Sequence, residues 1–172
     1  MKMDYDYLFA IGQDSHRFRS YQENEFAPEG VQKLGGVMIQ GAPLLEANSD
    51  GDVLLHALTN AISGITGVNI LGAKADEMCL SQGITDSAEY LKEALNHLHG
   101  SEIIHVSFSV ECKTPKLASY IYDIRLGVSV LLGIPVESVA LTATSGEGLS
   151  AYGRGEGIMA ICAITVRKAR EV

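Results

Sequence analysis

Asp14, His16 and His56 form a candidate set of metal ligands in this sequence. Asp14 and His16 are separated by one residue, so they point to the same face if residues 11–18 form an extended strand. His56 would be a third ligand from a distant part of the chain. Two imidazoles and one carboxylate leave a fourth position open, as in catalytic zinc sites, and they also suit non-haem iron. The alternative for His56 is a structural histidine at the edge of a core helix.

His56 belongs to a predicted amphipathic helix whose apolar stripe runs through residues 53–65. We predict that Asn48 or Ser49 caps its amino end, because a short side-chain oxygen accepts a hydrogen bond from a free amide of the first turn. Ser49 and Asp52 also match a capping box. Asp52 lies four residues before His56, so the two share a helix face near that end.

The rest of the chain alternates between patterns typical of strands and of helices. Strands are predicted at residues 7–14, 103–111, 139–144 and 158–167, with a glycine-centred hairpin at 31–39. In the second of these strands, Ile104, Val106, Phe108 and Val110 are expected to face the core. Helices are predicted at 86–98 and from Pro115 to about residue 132. Residues 68–85 and the glycine-rich 145–157 are predicted to be loops.

This order of elements predicts an α/β fold of the α+β sandwich type. We expect a mixed four-stranded sheet with helices packed on one face, plus a small N-terminal hairpin. No composition shift or low-complexity segment divides the chain, so residues 1–172 are expected to form a single domain.

The composition of the chain limits the kinds of molecule that it is expected to bind and the compartment in which it is expected to work. The formal net charge of −8 argues against a nucleic acid or an anionic membrane, both of which are bound by basic surfaces. The cysteines Cys79, Cys112 and Cys162 are odd in number and far apart, so neither a disulfide framework nor a zinc ribbon is expected. No apolar run is long enough for a transmembrane helix, and the first residues do not resemble a signal peptide. We therefore expect a cytoplasmic protein.

Several motifs, in register over nearly the whole length, resemble those of the 2-C-methyl-D-erythritol 2,4-cyclodiphosphate synthase family of non-mevalonate isoprenoid biosynthesis. The similar segments are IGQDSH at 11–16, LGGV at 34–37, SDGDVLLHAL at 49–58, TPK at 114–116, Arg125, and GRGEGI at 153–158. The resemblance implies a homotrimer with active sites between neighbouring subunits. It also implies Zn²⁺ held by Asp14, His16 and His56, and Mg²⁺ or Mn²⁺ near Glu147.

The family substrate is 4-diphosphocytidyl-2-C-methyl-D-erythritol 2-phosphate, whose 2-phosphate attacks the β-phosphorus to give the cyclic diphosphate and CMP. By resemblance, Asn48 and Ser145 take the positions of catalytic residues, Ser145 in place of a threonine that steadies the transition state. The resemblance assigns substrate contacts to Ser15, Ser49, Asp76, Cys112, Pro115, Lys116, Leu117, Ala118, Thr144 and Arg154.

The sequence departs from the family pattern at the substrate side of the site. Asn48 replaces a histidine, and an amide can donate a hydrogen bond but cannot become cationic. Residues 69–71 and 74–76 replace Asp-Ile-Gly and Phe-Pro-Asp, and Ala151 replaces an aromatic residue. Two hypotheses follow: an active, divergent synthase, or a zinc-binding trimeric paralogue that binds a nucleotide or diphosphate without cyclase activity. A non-haem iron enzyme on the same ligands is a third.

Overall fold

The computed structural model describes residues 4–19 and 29–170. Its strands are β1 (Tyr5–Arg17), β2 (Glu29–Leu34), β3 (Val37–Pro43), β4 (Ser101–Glu111), β5 (Val139–Thr144) and β6 (Gly157–Ala169). Its helices are α1 (Val53–Thr66), α2 (Ala73–Gln82), α3 (Ser87–Leu95), α4 (Ile121–Leu132) and α5 (Ala151–Arg154). Short 3₁₀ turns lie at Val136–Ser138 and Gly146–Gly148. Within the described ranges, no helix is long and apolar enough to cross a membrane.

Four strands form one mixed sheet in the order β1-β6-β4-β5. Strand β6 is antiparallel to both of its neighbours, whereas β4 and β5 are parallel. The carboxyl ends of β1, β4 and β5 therefore meet at the same end of the sheet. Strands β2 and β3 pair separately as a hairpin that turns at Gly35 and Gly36. The predicted mixed four-stranded sheet and N-terminal hairpin are confirmed.

Helix α1 packs across β1 and β6, and α3 packs against α1. The approach of α1 to β1 is close at Gly12, where a Cβ would overlap the carbonyl oxygen of Ala57 and the amide nitrogen of Ala61. Only glycine fits between strand and helix at that point, so Gly12 allows the early turns of α1 to lie against the end of β1 that carries Asp14 and His16.

In the described part of the chain, no helix packs on the opposite face of the sheet. Phe9 and Ile11 on β1 point to that face and are 83% and 67% exposed. Ala163, which pairs with Ile11, is exposed as well. Helices on one face of the sheet, as predicted, thus leave an apolar surface on the other.

The predicted cap of α1 is wrong. The helix begins at Val53 with Asp52 as its N-cap, whose side chain accepts from the Leu55 amide at 3.1 Å. The same carboxylate accepts from the amides of Gly35 and Gly36 at 2.8 Å each. Asp52 serves both the helix and the hairpin turn, which is why it outcompetes Asn48 and Ser49 as the cap.

The predicted loop at 68–85 is also wrong, since α2 occupies Ala73–Gln82. Ala75 is the one residue of this helix that is buried. A helix that buries so little has no apolar stripe, and periodicity is the signal from which a helix is predicted. Its ends are marked instead by Gly72 and Gly83, both with positive φ.

Three smaller predictions are corrected by tertiary contacts. Helix α4 begins at Ile121 rather than near Pro115, because residues 112–120 are held in a non-helical path in which the Cys112 amide donates to the Thr144 carbonyl at 3.1 Å. Helix α3 ends at Leu95, short of residue 98. A bulge in β4 after Ile103 makes that residue, rather than Ile104, the buried one.

Candidate metal and substrate site

Asp14, His16 and His56 converge on one point, and we call them the ligand triad. Asp14 Oδ2 lies 3.1 Å from both His16 Nε2 and His56 Nδ1, and those two nitrogens are 3.4 Å apart. A tetrahedral ion with ligands at ~2.0–2.1 Å keeps neighbouring ligand atoms ~3.3 Å apart. The three atoms therefore have the spacing of three corners of a tetrahedral metal site, with the fourth corner left for another ligand.

Two elements position the triad. Alternation along β1 turns Asp14 and His16 toward α1, as the sequence predicted, and the first turn of α1 presents His56. His16 Nδ1 lies 3.1 Å from the backbone carbonyl oxygen of Glu46, to which its N–H donates a hydrogen bond. This hydrogen bond leaves the Nε2 lone pair of His16 free for a metal ion, the usual arrangement behind a metal-binding histidine.

The triad is electrostatically coupled. Burial alone would raise the pKa of Asp14, but hydrogen bonds and charge interactions with His16 and His56 outweigh it, so this pKa lies below its usual value. Burial likewise opposes protonation of His16, yet its hydrogen bond to Asp14 and the charge of that carboxylate raise its pKa overall. A metal ion bound here would have to displace the proton that His16 shares with Asp14.

The triad opens into a cavity of about 210 Å³. The predicted site residues Asn48, Ser49 and Asp76 line this cavity, so the structure brings them to the triad. Leu71, from the 69–71 segment that departs from the family pattern, lines it as well. Sequence reasoning missed other lining residues, namely Gly72, Ala75 and Cys79 at and within α2 and Tyr90 in α3. Ala75 and Cys79 carry no sequence signal, because the helix to which they belong has no apolar period.

A second group of predicted residues lies where β4 and β5 end, and we call it the second cluster. The Ser145 hydroxyl lies 3.3 Å from Glu147 Oε1, and the Gly146 amide donates to Thr144 Oγ1 at 3.2 Å. Burial raises the pKa of the Cys112 thiol to about 11, so it stays neutral. The members of the second cluster are Cys112, Pro115, Lys116, Leu117, Ala118, Thr144, Ser145 and Glu147.

The ligand triad and the second cluster lie at the same end of the sheet but toward opposite edges. Strand β1 carries two of the triad ligands, and β5 leads into Ser145 and Glu147, with β6 and β4 between them. Neighbouring strands are ~4.8 Å apart, so the outer strands are separated by ~14 Å. Within one chain, the structure therefore does not place the two halves of the predicted site around a single cavity.

Two further predicted residues lie outside both groups. Ser15 points to the opposite face of β1 from Asp14 and His16, and lines a hollow with Arg17, Tyr152 and Glu156. Arg154 is exposed, and its guanidinium donates to Glu156 at 2.8 Å.

Comparison with known proteins agrees with this architecture. The YgbB family profile matches residues 7–167. A 2-C-methyl-D-erythritol 2,4-cyclodiphosphate synthase of Chlamydia trachomatis serovar L2b is 43% identical over 164 residues, covering 93% of this chain and 88% of the relative. A protein of the same name from Chlamydia caviae is 44% identical over 166 residues, covering 96% and 92%.

A solved structure described as 2C-methyl-D-erythritol-2,4-cyclodiphosphate synthase in a CDP-bound form superposes with a TM-score of 0.70 at 25% identity. The alignment covers 92% of this chain and 99% of the other. Profile, relatives and fold all span nearly the full length of the described chain. The chain belongs to the 2-C-methyl-D-erythritol 2,4-cyclodiphosphate synthase family.

Proposed function

We propose that the protein cyclises 4-diphosphocytidyl-2-C-methyl-D-erythritol 2-phosphate to 2-C-methyl-D-erythritol 2,4-cyclodiphosphate, with release of CMP. An oxygen of the 2-phosphate forms a bond to the β-phosphorus. The bond from that phosphorus to the oxygen bridging to the α-phosphate breaks, and CMP leaves with the bonding electrons. The observation that carries this proposal is the tetrahedral spacing of the ligand triad at the mouth of a cavity, in a chain of this family.

The ligand triad fits Zn²⁺ or a similar divalent ion, since two neutral imidazoles and a carboxylate are ligands that zinc prefers. When bound, such an ion supplies positive charge that offsets the repulsion between two anionic phosphates. Glu147, on the other half of the site, is the residue that would help to hold Mg²⁺ or Mn²⁺ together with substrate phosphate oxygens.

The protein residues act by binding and orientation, because phosphoryl transfer needs no protein nucleophile. Asn48 is exposed beside the triad and can donate its amide hydrogens to a phosphate oxygen. Lys116 is an exposed point charge in the second cluster, and Ser145 adds a hydroxyl donor there. The neutral Cys112 and the buried Leu117 support the backbone of the segment proposed to hold the cytidine half.

We also propose a homotrimer in the cytoplasm, with each active site shared between two subunits. The cavity beside the triad, at about 210 Å³, is smaller than the ~300–1,000 Å³ of pockets that enclose a drug-sized ligand. The residues expected to complete it lie toward the far edge of the sheet. A threefold rotation can place the second cluster of one chain against the triad of the next, and the exposed Phe9 and Ile11 offer an apolar face for association.

The test is CMP release from the proposed substrate by the purified protein with Zn²⁺ and Mg²⁺ present. A His56→Ala protein, which lacks one triad ligand, is the control. Turnover that is lost in the control supports the synthase. A trimer that binds zinc and CDP but releases no CMP would contradict it, and would identify the protein as the binding paralogue. Metal analysis of the purified protein shows whether the bound ion is zinc or iron.

A further inference from the structure

His56 is supported from behind by a chain of polar side chains outside the ligand triad. Its Nδ1 faces Asp14 and His16, while its Nε2 lies 2.9 Å from the hydroxyl oxygen of Ser87. Ser87 is completely buried at the start of α3. The Ser87 hydroxyl in turn donates a short hydrogen bond to Asp50 Oδ1.

The chemistry of the three groups fixes the direction of these hydrogen bonds. If Nδ1 is the metal-binding atom of His56, its lone pair must be free and the ring proton lies on Nε2. Nε2 then donates to Ser87, and the single hydroxyl proton of Ser87 donates to Asp50. Ser49 also approaches Nε2, but at 3.5 Å, and its hydroxyl oxygen accepts the Gly51 amide at 3.3 Å. Ser87 is therefore the main partner.

Asp50, at the end of this series of hydrogen bonds, is held in place because its carboxylate contacts three further donors. Its carboxylate accepts from the amides of Asp52 and Ser87 at 3.2 Å each. Lys33 Nζ lies 3.3 Å from the same carboxylate and 2.7 Å from Asp86. These contacts join the hairpin strand β2, the turn before α1 and the start of α3, so the position of Asp50 is set by three separate elements.

We propose that Ser87 and Asp50 are positioning residues for the metal site. They orient the His56 ring and hold its proton on Nε2, so that Nδ1 is presented to the metal ion. This inference rests on the proposed metal site and extends it to two residues outside the triad. Hydrogen-bond acceptors behind a metal-binding histidine commonly raise metal affinity by such orientation.

The test measures Co²⁺ affinity of the full-length protein by competition with a chelator, following the visible absorption of the bound ion. Ser87→Ala and Asp50→Asn are each expected to weaken Co²⁺ binding by ~10–100-fold. If Asp50 acts on His56 through Ser87, the double variant loses little more affinity than Ser87→Ala alone. Ser129→Ala is the matched control, since Ser129 is also buried and bonded, to the Leu126 carbonyl in α4.

The outcomes separate this inference from the metal site on which it rests. No Co²⁺ binding by the unaltered protein overturns the metal site and the inference together. Normal binding by Ser87→Ala, at the level of Ser129→Ala, overturns the inference and leaves the metal site standing. Additive losses in the double variant overturn the path through Ser87. If Ser87→Ala does not fold, Asp50→Asn with unchanged Co²⁺ affinity still refutes the proposal.

Discussion

Asn48 is the residue beside the triad that, by resemblance, replaces a histidine of the family. Its side chain is exposed at the cavity, and its only described hydrogen bond is through its backbone carbonyl, which accepts from the Cys79 thiol. Asn48→Ala should therefore leave the fold intact and remove one donor to the transition state. We expect kcat to fall by ~100-fold with little change in the Kd for CDP. An unchanged kcat would show that the asparagine takes no part in catalysis.

Metal binding by the triad should release protons. The raised pKa of His16 and the lowered pKa of Asp14 mean that the metal-free triad keeps an imidazolium beside a carboxylate to higher pH than free histidine would. Only the neutral imidazole binds a metal, so affinity should fall as the pH falls through the raised pKa of His16. Calorimetry of Co²⁺ binding at about pH 6, in two buffers of different ionisation enthalpy, measures the protons released. Co²⁺ binding without release of protons would contradict this prediction.

The residues of the site differ in how far sequence could predict them. Asp14 and His16 follow a local rule, because two residues on one strand share a face, and His56 stood out as a histidine in the first turn of a helix. Ser87 carries no such signal. It lies 31 residues from His56 in sequence, and the contact exists only because α3 packs on α1.

At the scale of elements, Asp52 joins α1 to the hairpin. Asp52→Ala removes the acceptor of three amides, those of Leu55, Gly35 and Gly36, in a fully buried place. Amides left buried without partners cost ~1–3 kcal/mol each, so we expect the free energy of unfolding to fall by about 3 kcal/mol or more. Urea unfolding of both proteins measures this loss of unfolding free energy.

The control for this prediction is Asp86→Ala. Asp86 caps α3 through the Ala88 amide alone and pairs with Lys33 at the surface. Loss of a cap of this kind costs ~1 kcal/mol. An Asp52→Ala protein that loses no more stability than Asp86→Ala would show that the link to the hairpin contributes nothing.

Elements with a clear period or turn signal were predicted, and those set by packing were not. Strands β5 and β6 and the Gly35 and Gly36 hairpin follow from alternation and glycine. Helix α2 buries only Ala75, so it leaves no pattern to read. The path of residues 112–120 is tied by a hydrogen bond from the Cys112 amide to Thr144 on β5, which is remote in sequence, and a local preference for a helix beginning at Pro115 cannot reveal that contact.

At the scale of the whole molecule, the strand order decides how the site is completed. Periodicity predicts strands but not their order, and the order β1-β6-β4-β5 is what places the triad and the second cluster toward opposite edges. Because β1, β4 and β5 run in the same direction, both groups nevertheless lie at one end of the sheet. This arrangement suits the proposed trimer, in which each chain would supply its triad to one active site and its second cluster to another.

If each active site is shared between two subunits, a mixture of two inactive variants should regain activity. His56→Ala damages the triad and Lys116→Ala damages the second cluster, so each protein alone should be inactive. If the two are unfolded and refolded as an equal mixture, about one site in four combines the two intact halves, and up to about a quarter of normal CMP release should return. A mixture of His56→Ala with Asp14→Ala, which damage the same half, should restore none. Mixed trimers, verified with two affinity tags, that stay inactive in the first mixture would place the whole site within one chain.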